Sequence, residues 1–266
     1  MATTASTTGS AARWGPVWGA RARDWSETEE QQTPTYEEAI RRVGVAAGAR
    51  VLEVGCGSGV FLRLAADRGA EVDGLDASEA LLEIARLRVP EAELRLGDLQ
   101  ALPYEDDVFD LVAGFNAFFF ADDMVAALRE ARRVAKPGAP VVVQVWGRPD
   151  RCELEGMKHA VAQFLPPPDA NAVRGSELWE PGVLEGIAAA AGLSPVQTFD
   201  CTWAYEYPNE DDLVRSMLSA GGLALVDEQF GDGRVGRAIA DGLAGCRTES
   251  GGYRVANEWH SVVATA

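Results

Sequence analysis

At 266 residues the chain is long enough to bury one full core, and 47% hydrophobic with 24% charged residues is an ordinary globular composition. Lys and Arg number 24 against 41 Asp and Glu, a formal charge of −17 that repels phosphate backbones and argues against nucleic acid as a partner. Cys56, Cys152, Cys201 and Cys246 stand singly with no Cys-x-x-Cys pair, which speaks against a zinc or disulfide framework and fits a reducing cytoplasm. No apolar run is long enough to span a bilayer, and Met1–Ala12 lacks the apolar stretch of a secretory signal, so a cytoplasmic protein without a membrane partner is expected.

In chain order, residues 1–12 read as a disordered Thr/Ser/Ala tail, and residues 13–266 as one domain. Three tryptophans follow within twelve residues, Trp14, Trp18 and Trp25. So much aromatic surface is expected to pack, either along the core edge or as a lid over a small-molecule pocket. A short helix is predicted over Thr35–Val43, with Thr33 or Thr35 as its cap. Strand 50–54 then leads into helix 58–68, strand Glu71–Leu75 into helix Ser78–Arg88, and strand Ala92–Leu96 into a loop. Strand Phe109–Gly114, helix Asp122–Ala135 and strand Ala139–Trp146 complete the alternation, with Lys136-Pro137-Gly138 as a stop signal. Repeated βα units predict an α/β fold: a doubly wound, mostly parallel seven-stranded sheet with helices on both faces.

Beyond residue 149 the rhythm changes. Helices are predicted over Glu153–Leu165, ended by Pro166-Pro167-Pro168, and around Pro181–Ala191. A long strand Ser194–Tyr207, helical stretches Glu210–Ala220, Leu223–Phe230 and Gly233–Ala244, and a last strand Tyr253–Ala264 follow. Strand, helical insertion and strand suggest an antiparallel pair at one sheet edge with the helices folded over one rim.

The stretch that carries chemistry is Val51-Leu52-Glu53-Val54-Gly55-Cys56-Gly57-Ser58-Gly59, a buried strand, a glycine-rich turn and a helix start. Such a turn lets backbone approach a ligand closely, and the helix start is expected to offer unpaired N–H groups. A P-loop needs a Gly-Lys-Ser/Thr ending, which is missing here. A dinucleotide fingerprint needs Gly-x-Gly-x-x-Gly/Ala, whereas Val60 stands at the third position and Gly59 comes one residue early. Asp76 ends the second strand 21 residues after Gly55, where a carboxylate can accept both hydrogen bonds of a ribose diol. Gly97-Asp98-Leu99 follows the third strand, and Phe115-Asn116 ends the fourth.

With these residues in order, the chain resembles the class I S-adenosylmethionine-dependent methyltransferases over roughly residues 35–147. The resemblance implies that Gly55, Cys56, Gly57 and Gly59 pack against the methionine part of S-adenosyl-L-methionine, with Glu53 anchoring its amino group. It implies Asp76 and the adjoining Ala77 at the ribose, Asp98 and Leu99 at the adenine, and carbonyls of Phe115 and Asn116 at the ammonium. The product would be S-adenosyl-L-homocysteine, and the last strand would run antiparallel. Helical cap segments are expected on the N-terminal and C-terminal sides of the core, with substrate-cap segments at about 13–34, 149–182 and 209–246.

A sulfonium methyl is already electrophilic, so in-line positioning in a dry pocket matters most and a general base is optional. His159 is the better of two histidines for that role; His260, mid-strand beside Trp259, reads as structural. Trp18, Trp25, Phe119, Phe120 and Tyr205 are candidate walls of the acceptor pocket. Phe115-Asn116-Ala117-Phe118 lacks the Asp/Asn-Pro-Pro-Tyr/Phe run of adenine methylation, which again disfavours nucleic acid. Asp122-Asp123 is read as a helix cap rather than a metal site. The expectation is methyl transfer to an O, N or C atom of a small molecule, such as a specialised metabolite. A cyclase or binding protein that keeps the cofactor without methyl transfer, and an NAD-dependent oxidoreductase, are the alternatives.

Overall fold

The computed structural model describes residues 9–165 and 177–266. Its seven strands are β1 (Arg50–Val54), β2 (Glu71–Asp76), β3 (Glu93–Leu96), β4 (Leu111–Phe115), β5 (Pro140–Trp146), β6 (Ser194–Tyr207) and β7 (Tyr253–Thr265). They form one sheet in the order β3-β2-β1-β4-β5-β7-β6, in which β7 alone runs opposite to the other six strands. The predicted fold class and the hairpin-like edge pair are therefore what the chain forms.

The strands are apolar on both faces because helices cover both. Leu52, Val54 and Val112 face a core completed by helices α6 (Met124–Val134) and α8 (Val183–Ala190). Val51, Val72 and Leu111 face the opposite core, built with α3 (Thr33–Val43), α4 (Val60–Ala66) and the strand-flanking α5 (Glu79–Arg88). A third core lies over the β6–β7 pair. There α7 (Leu154–Val161), α9 (Glu210–Leu218) and α11 (Arg234–Gly242) bury Tyr205, Tyr253 and Trp259, with α10 (Leu223–Phe230) alongside.

The helical cap expected at the N-terminal side is formed by two helices whose bounds were not predicted: α1 (Ser10–Gly19), with Pro16 inside it, and α2 (Ala22–Glu30). Ser10–Ala12, expected to be tail, forms the first turn of α1. Tertiary packing outweighs the Gly-Pro propensity here, because Gly15 rests directly on the Ala77 carbonyl. Helix α3 begins at Thr33 with no side-chain cap, so neither threonine does what was expected of it. Strand β4 starts at Leu111, and Phe109 instead makes an isolated bridge to Ala135. Helix α7 tightens into a 3-10 turn at Ala162–Phe164, and the Pro166–Pro168 stop lies outside the described residues. Among the described residues no helix is long and apolar enough to cross a membrane, and no cluster of His, Cys, Asp and Glu is arranged for a metal.

Candidate functional site

The chain runs outward from β1 to β2 and β3, then returns to β4, so the β1–β4 boundary is where strand order reverses. A cavity of about 350 Å³ opens at the carboxyl ends of these strands, the usual ligand position in such sheets and within the size range of small-molecule sites. It is walled by three layers. Strand ends and loops supply Glu53, Gly55, Gly57, Asp76, Ala77 and Leu99, with Phe115 and Asn116 beside them. Helices α1 and α2 lay Trp14, Trp18, Trp25, Thr28 and Glu29 across it. The far wall is Phe119, Phe120, Met157, Tyr205 and Met217.

The glycine loop is shaped by backbone geometry. Gly55 and Gly57 have φ of 75° and 52°, a region that penalises any Cβ. A Cβ on Gly55 would stand 2.5 Å from the Ala117 methyl, and one on Gly57 2.7 Å from a Glu29 carboxylate oxygen. The N–H groups of the loop itself are already engaged. Gly55 and Cys56 donate to the Leu75 carbonyl (2.7 and 3.0 Å), Gly57 donates to Asp76 Oδ2 (2.8 Å), and Ser58 donates to Glu29 Oε2 (2.8 Å). The loop therefore offers a close approach and a fixed shape, while the acceptors around it come from side chains.

Those acceptors are unusual in their charge. Glu29, Glu53 and Asp76 are buried and line one cavity. Burial pushes the Glu29 carboxyl up to about 7, against the opposing pull of the Ser58 N–H and Arg88. Burial, then the charges of Glu29 and Asp76, raise Glu53 well above the usual carboxylate range. Asp76 is raised by burial in spite of N–H groups donated by Ser78 and Gly57. Glu53 Oε2 and Asn116 Oδ1 are buried atoms without a hydrogen-bond partner. Asn116 also holds a φ of 51°, a strained conformation that Asn tolerates better than most residues. Strain and unspent acceptors at one strand end are the marks of a ligand site.

The aromatic side is built by the N-terminal segment, whose tryptophans were expected to pack along the core edge or to form a lid. Trp14 and Trp18 meet Phe120 edge-on at 4.8 and 5.5 Å, and Trp18 meets Trp25 at 4.7 Å. A buried hydroxyl chain ties this lid to the rest. Thr28 Oγ1 lies 2.6 Å from Ser216 Oγ, which lies 2.9 Å from the Tyr207 hydroxyl. Helix α1 is anchored at its start by Asp98, whose Oδ2 accepts from Ser10 Oγ and Ala11 N, both at 2.9 Å.

Four predicted site residues lie outside the lining. Cys56 is wholly buried, packed within the core on the α4 side of the sheet. Gly59 starts α4 and packs on Ala85. Asp98 is turned to α1, with its other oxygen accepting from the Gln100 N–H. His159 is exposed on α7, its Nδ1 2.7 Å from the Glu155 carbonyl, and it does not reach the cavity, which removes its proposed catalytic role. His260 pairs with Asp200 at 2.7 Å, as a structural histidine would. Asp123 caps α6 through the Ala126 N–H, as its position suggested. Among the residues missed are Thr28, Glu29, Gln32 and Tyr36. Trp25, Thr28, Glu29, Gln32 and Tyr36 recur at nearly helical spacing and all line the cavity, a stripe that was readable in principle.

A protein family described as "Methyltransferase domain" matches residues 52–143. An uncharacterized protein of Mycobacterium tuberculosis is 33% identical over 193 residues, covering 66% of this chain and 68% of that protein. The demethylmenaquinone methyltransferase of Bacillus subtilis is 33% identical over 144 residues, 51% of this chain and 60% of the relative. Among solved structures, the YcgJ protein of Bacillus subtilis superposes with a TM-score of 0.58 at 19% identity, covering 87% of this chain and 97% of that one.

Proposed function

Because the chain carries a methyltransferase domain over residues 52–143 on a class I S-adenosylmethionine-dependent methyltransferase fold, we propose that its acceptor is a small, largely apolar organic molecule bound under the tryptophan helices. One observation carries this reading: a single cavity runs from the glycine loop to the aromatic wall of Trp14, Trp18, Trp25 and Phe120. The −17 formal charge supports a small molecule over nucleic acid. The four free cysteines support a reducing compartment such as the cytoplasm. The Bacillus subtilis relative is by name a methyltransferase of demethylmenaquinone, itself a small organic acceptor.

The residues present fit the cofactor. The unshared Glu53 Oε2 and Asn116 Oδ1 are acceptors suited to an ammonium group. Asp76 ends β2 where a ribose diol would be held, and Ala77 and Leu99 continue the wall toward the base. When bound, the cofactor supplies a sulfonium methyl that is electrophilic without further activation.

The chain's own residues then have three tasks. The lid of α1 and α2 and the wall of α7 and α9 exclude water and hold the acceptor in line with the methyl carbon. Phenols of Tyr36 and Tyr205 are raised well above their usual range by burial, so they remain protonated at neutral pH and act as hydrogen-bond donors to an acceptor oxygen or nitrogen. Residues 35–147 bind the cofactor, and the described parts of 13–34, 149–182 and 209–246 cap the acceptor.

Incubation with methyl-labelled S-adenosylmethionine and a panel of phenols, amines and enolisable ketones tests this reading. Label is expected in an organic-soluble small molecule. Label found in nucleic acid or protein, or no label in any acceptor while the cofactor binds, overturns it.

A further inference from the structure

Among the described residues lining the cavity, the acidic side chains are Glu29, Glu53 and Asp76, and Lys158 is the only cationic one. Lys158 is exposed at the rim and already paired with Glu155 at 2.5 Å. Two of the three carboxylates belong to the strand ends that the sequence pattern pointed to. The third, Glu29, comes from the lid. It is 3% exposed, and its Oε2 accepts from the Ser58 N–H at 2.8 Å. Arg88, on α5, is the nearby cation, but its guanidinium is committed elsewhere. It bonds the Ser58 carbonyl at 2.9 Å, the Ser58 hydroxyl and the Glu30 carboxylate. The lid thus carries a carboxylate to the glycine loop with no ion-pair partner of its own.

We propose that Glu29 is a specificity-determining residue that lets the lid discriminate the charged cofactor from its neutral-sulfur product. This rests on the cofactor reading above. S-adenosylmethionine carries a sulfonium, an ammonium and a carboxylate. On transfer the C–S bond breaks, the sulfur keeps the electron pair, the methyl carbon bonds the acceptor atom, and the acceptor's proton leaves to solvent. S-adenosylhomocysteine retains the ammonium and the carboxylate alone. A cavity with surplus negative charge loses one attraction at that moment, and a low-dielectric interior amplifies the loss. Since Glu29 sits on α2, the same loss weakens the hold of the lid on the spent ligand.

The groups that face Glu29 set its behaviour with pH. Asp76 on β2 opposes its ionisation, the Ser58 N–H and Arg88 on α5 favour it, Glu53 on β1 is itself raised well above the usual carboxylate range by burial and then by the charge of Glu29, and the Tyr36 phenol on α3 stays neutral. With its carboxyl at about 7, Glu29 is largely protonated at pH 6 and ionised at pH 8.5.

Calorimetry with S-adenosylmethionine and S-adenosylhomocysteine, on the full chain and on Glu29→Gln, at both pH values, tests the proposal. The sulfonium makes the cofactor's amino group more acidic than the product's, so ligand titration enters the ratio of the two Kd values, but it enters equally for both proteins and is removed by comparing them. From pH 6 to pH 8.5 the preference for the cofactor over the product is expected to rise about tenfold more in the unaltered protein than in Glu29→Gln, the scale of one unit charge acting across several ångströms of protein. A ratio that changes equally with pH in both proteins overturns the proposal while leaving the cofactor assignment intact. Binding of neither ligand to the unaltered protein removes the cofactor assignment and this proposal with it. A thermal melt of Glu29→Gln without ligand confirms that the comparison is made on folded protein, and Glu29→Asp, which keeps the charge, is expected to recover most of the pH dependence.

Discussion

Gly15→Ala separates two physical effects that predict opposite signs. In an isolated helix, alanine in place of glycine stabilises by about 1 kcal/mol, so α1 alone gains. In the folded chain an added Cβ overlaps the Ala77 carbonyl oxygen, and a backbone carbonyl cannot step aside as a flexible side chain can. Helix α1 must then lift off the β2–α5 turn. Its main polar anchor is the Asp98 carboxylate, which accepts from Ser10 and Ala11. Losing hydrogen bonds to a charged group costs about 1.5–3 kcal/mol, so opening of the lid becomes roughly 10- to 100-fold more frequent. Amide hydrogen exchange over Ser10–Gly19 reads this directly, against β1 and β4 as unaffected references. Tryptophan fluorescence gives a second readout, because Trp14 and Trp18 leave Phe120. Unchanged or slower exchange over α1 would show that propensity outweighs the contact, and would refute the lid geometry.

Three further outcomes follow from the same site. Between pH 4.5 and about 7 the folded chain holds the Glu29 proton more tightly than the unfolded chain does, so its contribution to stability falls as pH rises through that window. Across the window the loss is about 3 kcal/mol, and denaturant melts of Glu29→Gln should lack that part of the slope; parallel curves would disprove it. Asp76→Ala leaves the buried N–H groups of Gly57 and Ser78 without an acceptor. It should lower stability and weaken cofactor binding, each by about 1–3 kcal/mol, as measured by melts and calorimetry; unchanged affinity takes Asp76 out of the site. His159→Ala should leave kcat within about twofold, since a surface substitution away from the cavity perturbs little; a large loss would restore the histidine as a base.

The parallel sheet could be read from the chain because its strands are short, doubly buried apolar runs separated by amphipathic helices, each closed by a recognisable breaker. The cofactor end could be read because backbone demands at Gly55 and Gly57 leave no freedom of residue type. The lid was harder. Trp14-Gly15-Pro16-Val17-Trp18-Gly19 looks like a helix breaker locally and is held helical by a surface far away in sequence. Glu29 sits in Ser26-Glu27-Thr28-Glu29-Glu30, which reads as a solvated face, yet Thr28 and Glu29 turn inward while Glu27 and Glu30 remain outside. Asp98 illustrates a different limit. Its position marked it as a ligand acceptor, but the donors that reach its Oδ2 come from α1, 87 and 88 residues earlier.

The place of β7 has a consequence for how the chain is assembled. β6 pairs with β7 and with no other strand, and β7 lies between it and β5. β6 and the helices α9–α11 are therefore synthesised before the strand that fastens them to the sheet exists. Until Tyr253–Thr265 inserts, β5 presents a bare edge of valines and the far wall of the cavity has nothing to stand on. Such non-local pairing is slow, and it leaves the unfinished edge open to association with other chains. The nascent chain can shape its cofactor end early, while its acceptor end awaits the last strand.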